Sequence, residues 1–124
     1  MSLAGRREKG ELGEHLAREF LRGKGLKILE SNVRCILGEI DLVARDGNTV
    51  VFVEVRSRTH AGYGLPQESI TRRKKKRITR LAQWYLKKHP NPQCCVRFDV
   101  VAISWERDPP EVTWIPNAFE ACEE

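Results

Sequence analysis

Two acidic residues and one basic residue interrupt neighbouring apolar segments of the chain. Asp41 lies within GEIDLVA, and Glu54 and Arg56 lie within VVFVEVRSR. A carboxylate buried among apolar side chains must be paired, protonated or bound to a cation, because an isolated buried charge is strongly unfavourable. Magnesium prefers hard oxygen ligands and often uses only one or two protein carboxylates. The residue types therefore predict a metal-assisted site.

The turn between the two segments decides whether their acids can meet. The Asp-Gly-Asn stretch at 46–48 favours a two-residue hairpin loop. A loop at 47–48 sets Asp41 directly opposite Glu54, and a loop at 46–47 shifts the pairing by two residues. Both leave the two side chains on one face, whereas a three-residue loop without a bulge would separate them.

The same residues also fit a structural ion-pair cluster within the sheet, and the sequence alone leaves that alternative open. Arg56 shares the face of Glu54, since it follows two residues later. Glu39 shares the face of Asp41 and could join a metal site. We expect Glu39 to lie at the solvent end of its strand rather than in the metal site.

A run of basic residues forms the strongest charge feature of the sequence. It comprises Arg72, Arg73, Lys74, Lys75, Lys76 and Arg77, with Arg80 following. Few acids interleave, which favours a phosphate-binding helix face over an ordinary solvated one. Lys74 differs from its neighbours because it lies four residues before Ile78 on the apolar stripe. We therefore expect Lys74 to reach toward Glu54.

Hydrophobic periodicity predicts the elements that carry these residues. They are a helix from about Lys9 to Lys24, a strand over Leu26–Asn32, the two hairpin strands, a helix from an N-cap at Thr71 to about His89, a strand over Val96–Ile103 and a short edge strand over Val112–Ile115 before Pro116. Glu14 lies at the edge of the first helix's apolar stripe, and Glu11 points to water. Residues 57–70 should form a mobile loop. This order predicts an α/β fold with one mixed sheet flanked by helices.

Size and composition limit the classes of protein to consider. The 124 residues suit a single domain, with residues 1–8 expected to be flexible. A net charge of +5 favours an anionic partner, most commonly nucleic acid. The four cysteines form no C-x-x-C pair, so we expect free thiols rather than a zinc site. The start carries no signal peptide and no segment suits a membrane span, which predicts a cytoplasmic location.

Several blocks together resemble one family. They are GELGE at 10–14, GEIDLVARDG, VVFVEVRSR, SITRRKKKRI, RFDVVAI and IPNAF. They resemble the YraN family, small bacterial proteins similar to archaeal Holliday-junction resolvases within the PD-(D/E)xK nuclease superfamily. The resemblance covers about residues 10–120. It implies a restriction-endonuclease-like αβββαβ core and a metal-dependent endonuclease that hydrolyses DNA phosphodiester bonds at branched, Holliday-junction-like DNA.

The resemblance also implies roles for individual residues. Glu14, Asp41 and Glu54 would bind Mg²⁺ or Mn²⁺, and Arg56 would be the basic residue of the motif. Arg56 stands where the superfamily usually has lysine, and an arginine cannot act as a base. Lys74, from the neighbouring helix, could supply the missing amine.

The remaining expectations concern partners. The residues expected to bind DNA phosphates are Arg58, Arg72, Arg73, Lys75, Lys76, Arg77 and Arg80. A homodimer is expected from the resemblance, because a junction resolvase cuts two strands symmetrically. The alternative is a catalytically inactive nucleic-acid-binding module of the same fold, which Arg56 in place of lysine favours. A third and weaker alternative is an adaptor whose acids are only structural.

Overall fold

The computed structural model describes residues 3–58, 70–90 and 95–121. In chain order the elements are α1 (Leu3–Gly23), β1 (Lys27–Cys35), β2 (Gly38–Asp46), β3 (Thr49–Arg58), α2 (Arg72–Lys88), β4 (Cys95–Ser104) and β5 (Glu111–Phe119). The strands form one sheet in the order β1-β2-β3-β4-β5. Neighbouring strands are antiparallel except β3 and β4, which are parallel. The predicted α/β fold with an αβββαβ order is confirmed.

Each helix covers one face of the sheet, which explains why the central strands are apolar on both sides. On the α1 face, Ala17 and Leu21 pack with Leu42 and Val53. On the α2 face, the buried residues include Ile40, Val43, Phe52, Val100, Leu81, Ala82 and Tyr85. The predicted apolar stripe of α2 is confirmed. The sequence predicts Leu12 within the apolar stripe of α1, but Leu12 is 48% exposed, so the buried stripe is narrower.

The turn between β2 and β3 is the two-residue loop at 47–48. Asp46 pairs with Thr49, and Gly47 supplies a positive φ of 61°. Of the two registers that the sequence allowed, this one places Asp41 opposite Glu54 by counting. The regular ladder ends, however, at the pair Leu42–Val53, one position before the two acids.

Several element boundaries differ from those predicted. Helix α1 begins at Leu3 rather than near Lys9, and β1 runs to Cys35 rather than Asn32. Strand β5 continues through Pro116 to Phe119. A proline is tolerated there because β5 lies at the sheet edge, next to a register shift between Phe98 and Val100.

Two further features complete the fold. Thr71 caps α2 as predicted, its hydroxyl oxygen accepting the Lys74 N–H at 3.2 Å. Within the described ranges, neither helix combines the length and apolar character that a membrane span requires. Cys35 and Cys95 are free thiols. Most of the predicted loop at 57–70, together with Cys94 and Cys122, lies outside the described residues.

Candidate metal centre and adjoining basic face

Asp41 lies where the alternation of side chains along β2 is interrupted. In a regular strand, residues two apart share a face. Ile40 packs on the α2 face, Leu42 on the α1 face and Val43 again on the α2 face. The position opposite Asp41 in β1 is Asn32 by counting, and its φ of 53° is also irregular. The sheet is therefore distorted at Asp41, and residues from both faces can approach its carboxylate.

A backbone hydrogen bond holds Asp41 in the gap between β2 and β3. The Val55 N–H donates to Oδ2 of Asp41 at 2.8 Å. This contact replaces the ladder hydrogen bond that would otherwise follow the pair Leu42–Val53. The half-buried carboxylate is thus fixed where the two strands stop pairing.

Three carboxylates converge at this point. Glu14, Glu39 and Asp41 each offer an oxygen, and these oxygens all lie within 4.8 Å of one another. We call these three residues the acidic cluster. Glu14 comes from α1, three residues before the buried Ala17, and the packing of Ala17 holds this part of the helix close to the sheet. Gly13 allows the helix to approach the sheet closely, since a Cβ at this position would already lie 3.7 Å from Ile103.

Glu39 is the member whose place the sequence left open. Glu39 belongs to the acidic cluster, and its side chain is also partly exposed to solvent. Its Oε2 lies 3.2 Å from Nε of Arg34 on β1. The Arg34 side chain is 76% exposed, so this ion pair is weak and can open when another cation competes for Glu39. The signal available in the sequence was the spacing of two between Glu39 and Asp41.

Glu54 adjoins the acidic cluster from the α2 face. It lines a cavity of about 190 Å³ with Glu39, Lys74, Arg77, Ile78 and Leu81. Oε1 of Glu54 lies 3.6 Å from Nη1 of Arg56. Glu54 lies outside the group of mutually close oxygens, and its role as a metal ligand stays a prediction. Lys74 reaches the Glu54 side of the sheet.

The electrostatics of the paired acids favour a cation. Burial, together with repulsion from Glu54, raises the pKa of Asp41 from 3.8 to about 7, whereas the Val55 hydrogen bond opposes the shift. Burial also raises the pKa of Glu54, against the attraction of Arg56 and Lys74. Two such carboxyl groups ionise together only at a cost, which a proton or a metal ion removes. The donor set consists of carboxylate oxygens, which are ligands that Mg²⁺ and Mn²⁺ accept.

The basic residues of α2 divide between different surfaces. Arg73, Lys76, Arg77 and Arg80 line a second cavity of about 350 Å³, and we call these four the basic face. Lys75 points elsewhere, with Nζ 5.8 Å from the centre of the Phe119 ring. Arg72 is exposed in the first turn of α2. Arg58 is half-buried at the end of β3, and its carbonyl accepts the Trp105 N–H.

Asp99 is a further buried acid, and its contacts give it a structural role. It is fully buried and accepts two hydrogen bonds from Arg97, at 2.8 and 3.0 Å. The Trp114 indole and the Asn117 N–H each donate to it at 2.9 Å. Arg97 also contacts Asp46 at 3.1 Å. Asp99 therefore ties β5 to β4 and is separate from the acidic cluster.

Fold and comparison together define what class of protein this is. The five-stranded mixed sheet with one helix on each face is consistent with a restriction-endonuclease-like core. The profile of the Uncharacterised protein family UPF0102 matches residues 13–103. The chain belongs to this family, which confirms the resemblance to YraN proteins.

Relatives match along nearly their whole length. A UPF0102 protein of Alkalilimnicola ehrlichii is 51% identical over 115 residues, covering 92% of this chain and 88% of the relative. One from Geobacter metallireducens is 48% identical, with 90% and 91% covered. One from Caldicellulosiruptor saccharolyticus is 40% identical, with 92% and 98% covered.

Proposed function

We propose that this protein is a metal-dependent endonuclease that hydrolyses phosphodiester bonds of DNA, with branched DNA as its preferred substrate. The observation that carries the proposal is the convergence of Glu14, Glu39 and Asp41 within 4.8 Å, beside a cavity that Lys74 and Arg77 share with Glu54. Acids that hold a cation and bases that attract a phosphate thus adjoin each other.

The side chains divide the work of such a reaction. The acidic cluster would hold Mg²⁺ or Mn²⁺, with Glu54 close by. A metal ion in such a site lowers the pKa of water and stabilises negative charge on a phosphate. Lys74 and Arg77 neutralise the phosphate from the α2 side. Arg56 lies beside Glu54 and would orient its carboxylate rather than act as a base.

The basic face supports nucleic acid as the substrate. Four cations line one concave surface, and this surface adjoins the cavity that contains Glu54 through the shared residue Arg77. A duplex bound there would lose affinity steeply with salt, because phosphate contacts release counterions. The homodimer and the cytoplasmic location stay predictions.

The test is a nicking assay with Mg²⁺ or Mn²⁺ on four-way junction, flap, single-stranded and duplex DNA. Glu14→Gln should abolish cleavage because it removes a charge from the acidic cluster. Glu11→Gln is the matched control, since Glu11 is exposed on the same helix and should leave cleavage unchanged. Cleavage that persists in EDTA, or that Glu14→Gln leaves intact, contradicts the proposal.

A catalytically inactive nucleic-acid-binding module is the second candidate, and Arg56 in place of the lysine of the superfamily favours it. Calorimetry separates the two. A nuclease binds Mn²⁺ through the acidic cluster and loses that binding in Glu14→Gln. A binding module retains affinity for DNA but binds no metal at these carboxylates and cuts none of the substrates.

A further inference from the structure

The hairpin turn between β1 and β2 presents two apolar side chains to solvent. Ile36 is 101% exposed and Leu37 is 41% exposed. We call these two residues the apolar turn. They lie between Cys35, the last residue of β1, and Gly38, the first residue of β2.

Folding gives no reason for isoleucine at this position. Tight turns favour Gly, Asn, Asp, Ser and Pro, each for a conformational or hydrogen-bonding reason. Ile36 buries none of its surface, so it contributes no packing to the core. A polar residue would serve the turn equally well, and a β-branched apolar residue there needs another explanation.

The apolar turn lies against the basic face. Leu37 lines the 350 Å³ cavity together with Arg73, Lys76, Arg77 and Arg80. Gly38 fixes this contact, since a Cβ at its φ of 138° would lie 3.3 Å from Cδ of Arg77. An apolar projection is thus joined to a concave surface of four cations.

We propose that the apolar turn inserts between bases of a branched or kinked nucleic acid while the basic face binds the adjoining phosphates. Proteins that bend or open a duplex commonly insert Ile, Leu, Met or Phe between base steps. Charge complementarity selects the occupant, because four cations around one apolar projection match bases flanked by phosphates. This inference rests on the proposed function and adds the residue that would select unstacked substrates.

The location relative to the acidic cluster fits this role. Glu39 lies two residues after Leu37, so their Cα atoms are at most about 7 Å apart. A DNA strand that the apolar turn separates from its partner strand would therefore pass beside the acidic cluster. Branch points and nicks are the sites where inserting a side chain costs least, because stacking there is already incomplete.

The test measures binding rather than cleavage, so it does not depend on a working metal site. The full-length protein is titrated in EDTA against a four-way junction and a matched duplex. 2-Aminopurine at the branch point reports unstacking by a rise in fluorescence. The variants are Ile36→Ser and Ile36→Leu. Val96→Ser is the matched control, because Val96 is also exposed (41%) but lies at the opposite end of the sheet.

Ile36→Ser should weaken junction binding about tenfold and abolish the fluorescence rise, with duplex affinity changed less than about twofold. Ile36→Leu should retain both signals, and Val96→Ser should bind as the unmodified protein does. Thermal melting should be the same for Ile36→Ser, because the side chain packs against nothing. Lys76→Ala should weaken both DNAs alike and lower the salt slope by about one.

Three results would overturn the inference. The first is that Ile36→Ser binds the junction as well as the unmodified protein does. The second is that Ile36→Ser loses duplex and junction affinity equally. The third is that the protein binds anionic phosphatidylserine vesicles in an Ile36-dependent manner while its DNA binding does not depend on Ile36. If the unmodified protein binds no DNA at all, the proposed function fails together with this inference. Junction binding independent of Ile36 contradicts the inference alone.

Discussion

The Val55 N–H donates a hydrogen bond of 2.8 Å to Oδ2 of Asp41, one position beyond the last regular pair of β2 and β3. The bond places a carboxylate inside the gap between two strands, where a helix from either face can reach it. Glu14 approaches from α1, and Glu54 lies beside the cavity under α2. The irregularity of the sheet thus creates the candidate site.

Asp41→Asn should abolish cleavage without unfolding the protein. The amide oxygen can still accept the Val55 N–H, but the side chain no longer carries a charge to hold a metal ion. We expect a loss of about 100-fold or more in the rate of nicking. The matched control is Asp46→Asn, whose side chain is 43% exposed at the far end of the same strand. Equal losses in both variants would contradict the assignment.

The metal-free protein should lose stability as pH rises. Burial, with repulsion from Glu54, raises the pKa of Asp41 from 3.8 to about 7. Between these values the native state binds more protons than the unfolded state, so the free energy of unfolding falls from about pH 4 to pH 7. The upper limit of this fall in the free energy of unfolding is about 4 kcal/mol, at 1.36 kcal/mol per pKa unit.

Urea unfolding in EDTA at pH 5 and pH 8 measures this difference. Asp41→Asn should flatten the dependence, and Mn²⁺ should restore stability at pH 8 by binding only the native state. A protein that is more stable at pH 8 than at pH 5 without metal would count against a buried, charge-crowded Asp41.

Lys74→Ala should reduce cleavage about 100-fold, since Lys74 lines the cavity with Glu54 and would neutralise the phosphate there. Lys75→Ala is the matched control, because its Nζ lies over the Phe119 ring on another side of the helix. Single-turnover nicking at saturating protein separates this effect from weaker binding. Equal rates for the two variants would remove Lys74 from the site.

Asp99→Ala should destabilise the fold by about 3–5 kcal/mol, because it leaves Arg97 without its buried partner and frees the Trp114 and Asn117 donors. Asp46→Ala should cost less than about 1 kcal/mol, as its pair with Arg97 is partly exposed. Urea unfolding measures both. A small effect of Asp99→Ala would contradict a structural role.

The sequence predicted the parts of the fold that depend on local chemistry. The Asp-Gly-Asn stretch at 46–48 predicts a two-residue turn in either of two registers, and the structure has the turn at 47–48, which sets the register of β2 and β3. The spacing of Leu81, Ala82 and Tyr85 specifies the buried side of α2, and Thr71 its beginning.

The features that the sequence did not predict depend on contacts between elements that are distant in the chain. Strict alternation puts Glu39 on the face of Asp41, but it does not show that both meet Glu14 of α1, because the alternation of buried residues is interrupted at Asp41. Pro116 suggested a strand end, but an edge strand needs no hydrogen bond from it on its outer side. The four hydrogen bonds of Asp99 join β4 and β5 and leave no periodic signal in the sequence.

The most direct measurement is anomalous diffraction from a crystal soaked in Mn²⁺. We expect a peak bonded to carboxylate oxygens of Glu14, Glu39 and Asp41, which disappears in the Glu14→Gln protein. A fully occupied Mn²⁺ elsewhere, or no peak among these residues at saturating Mn²⁺, would contradict this expectation.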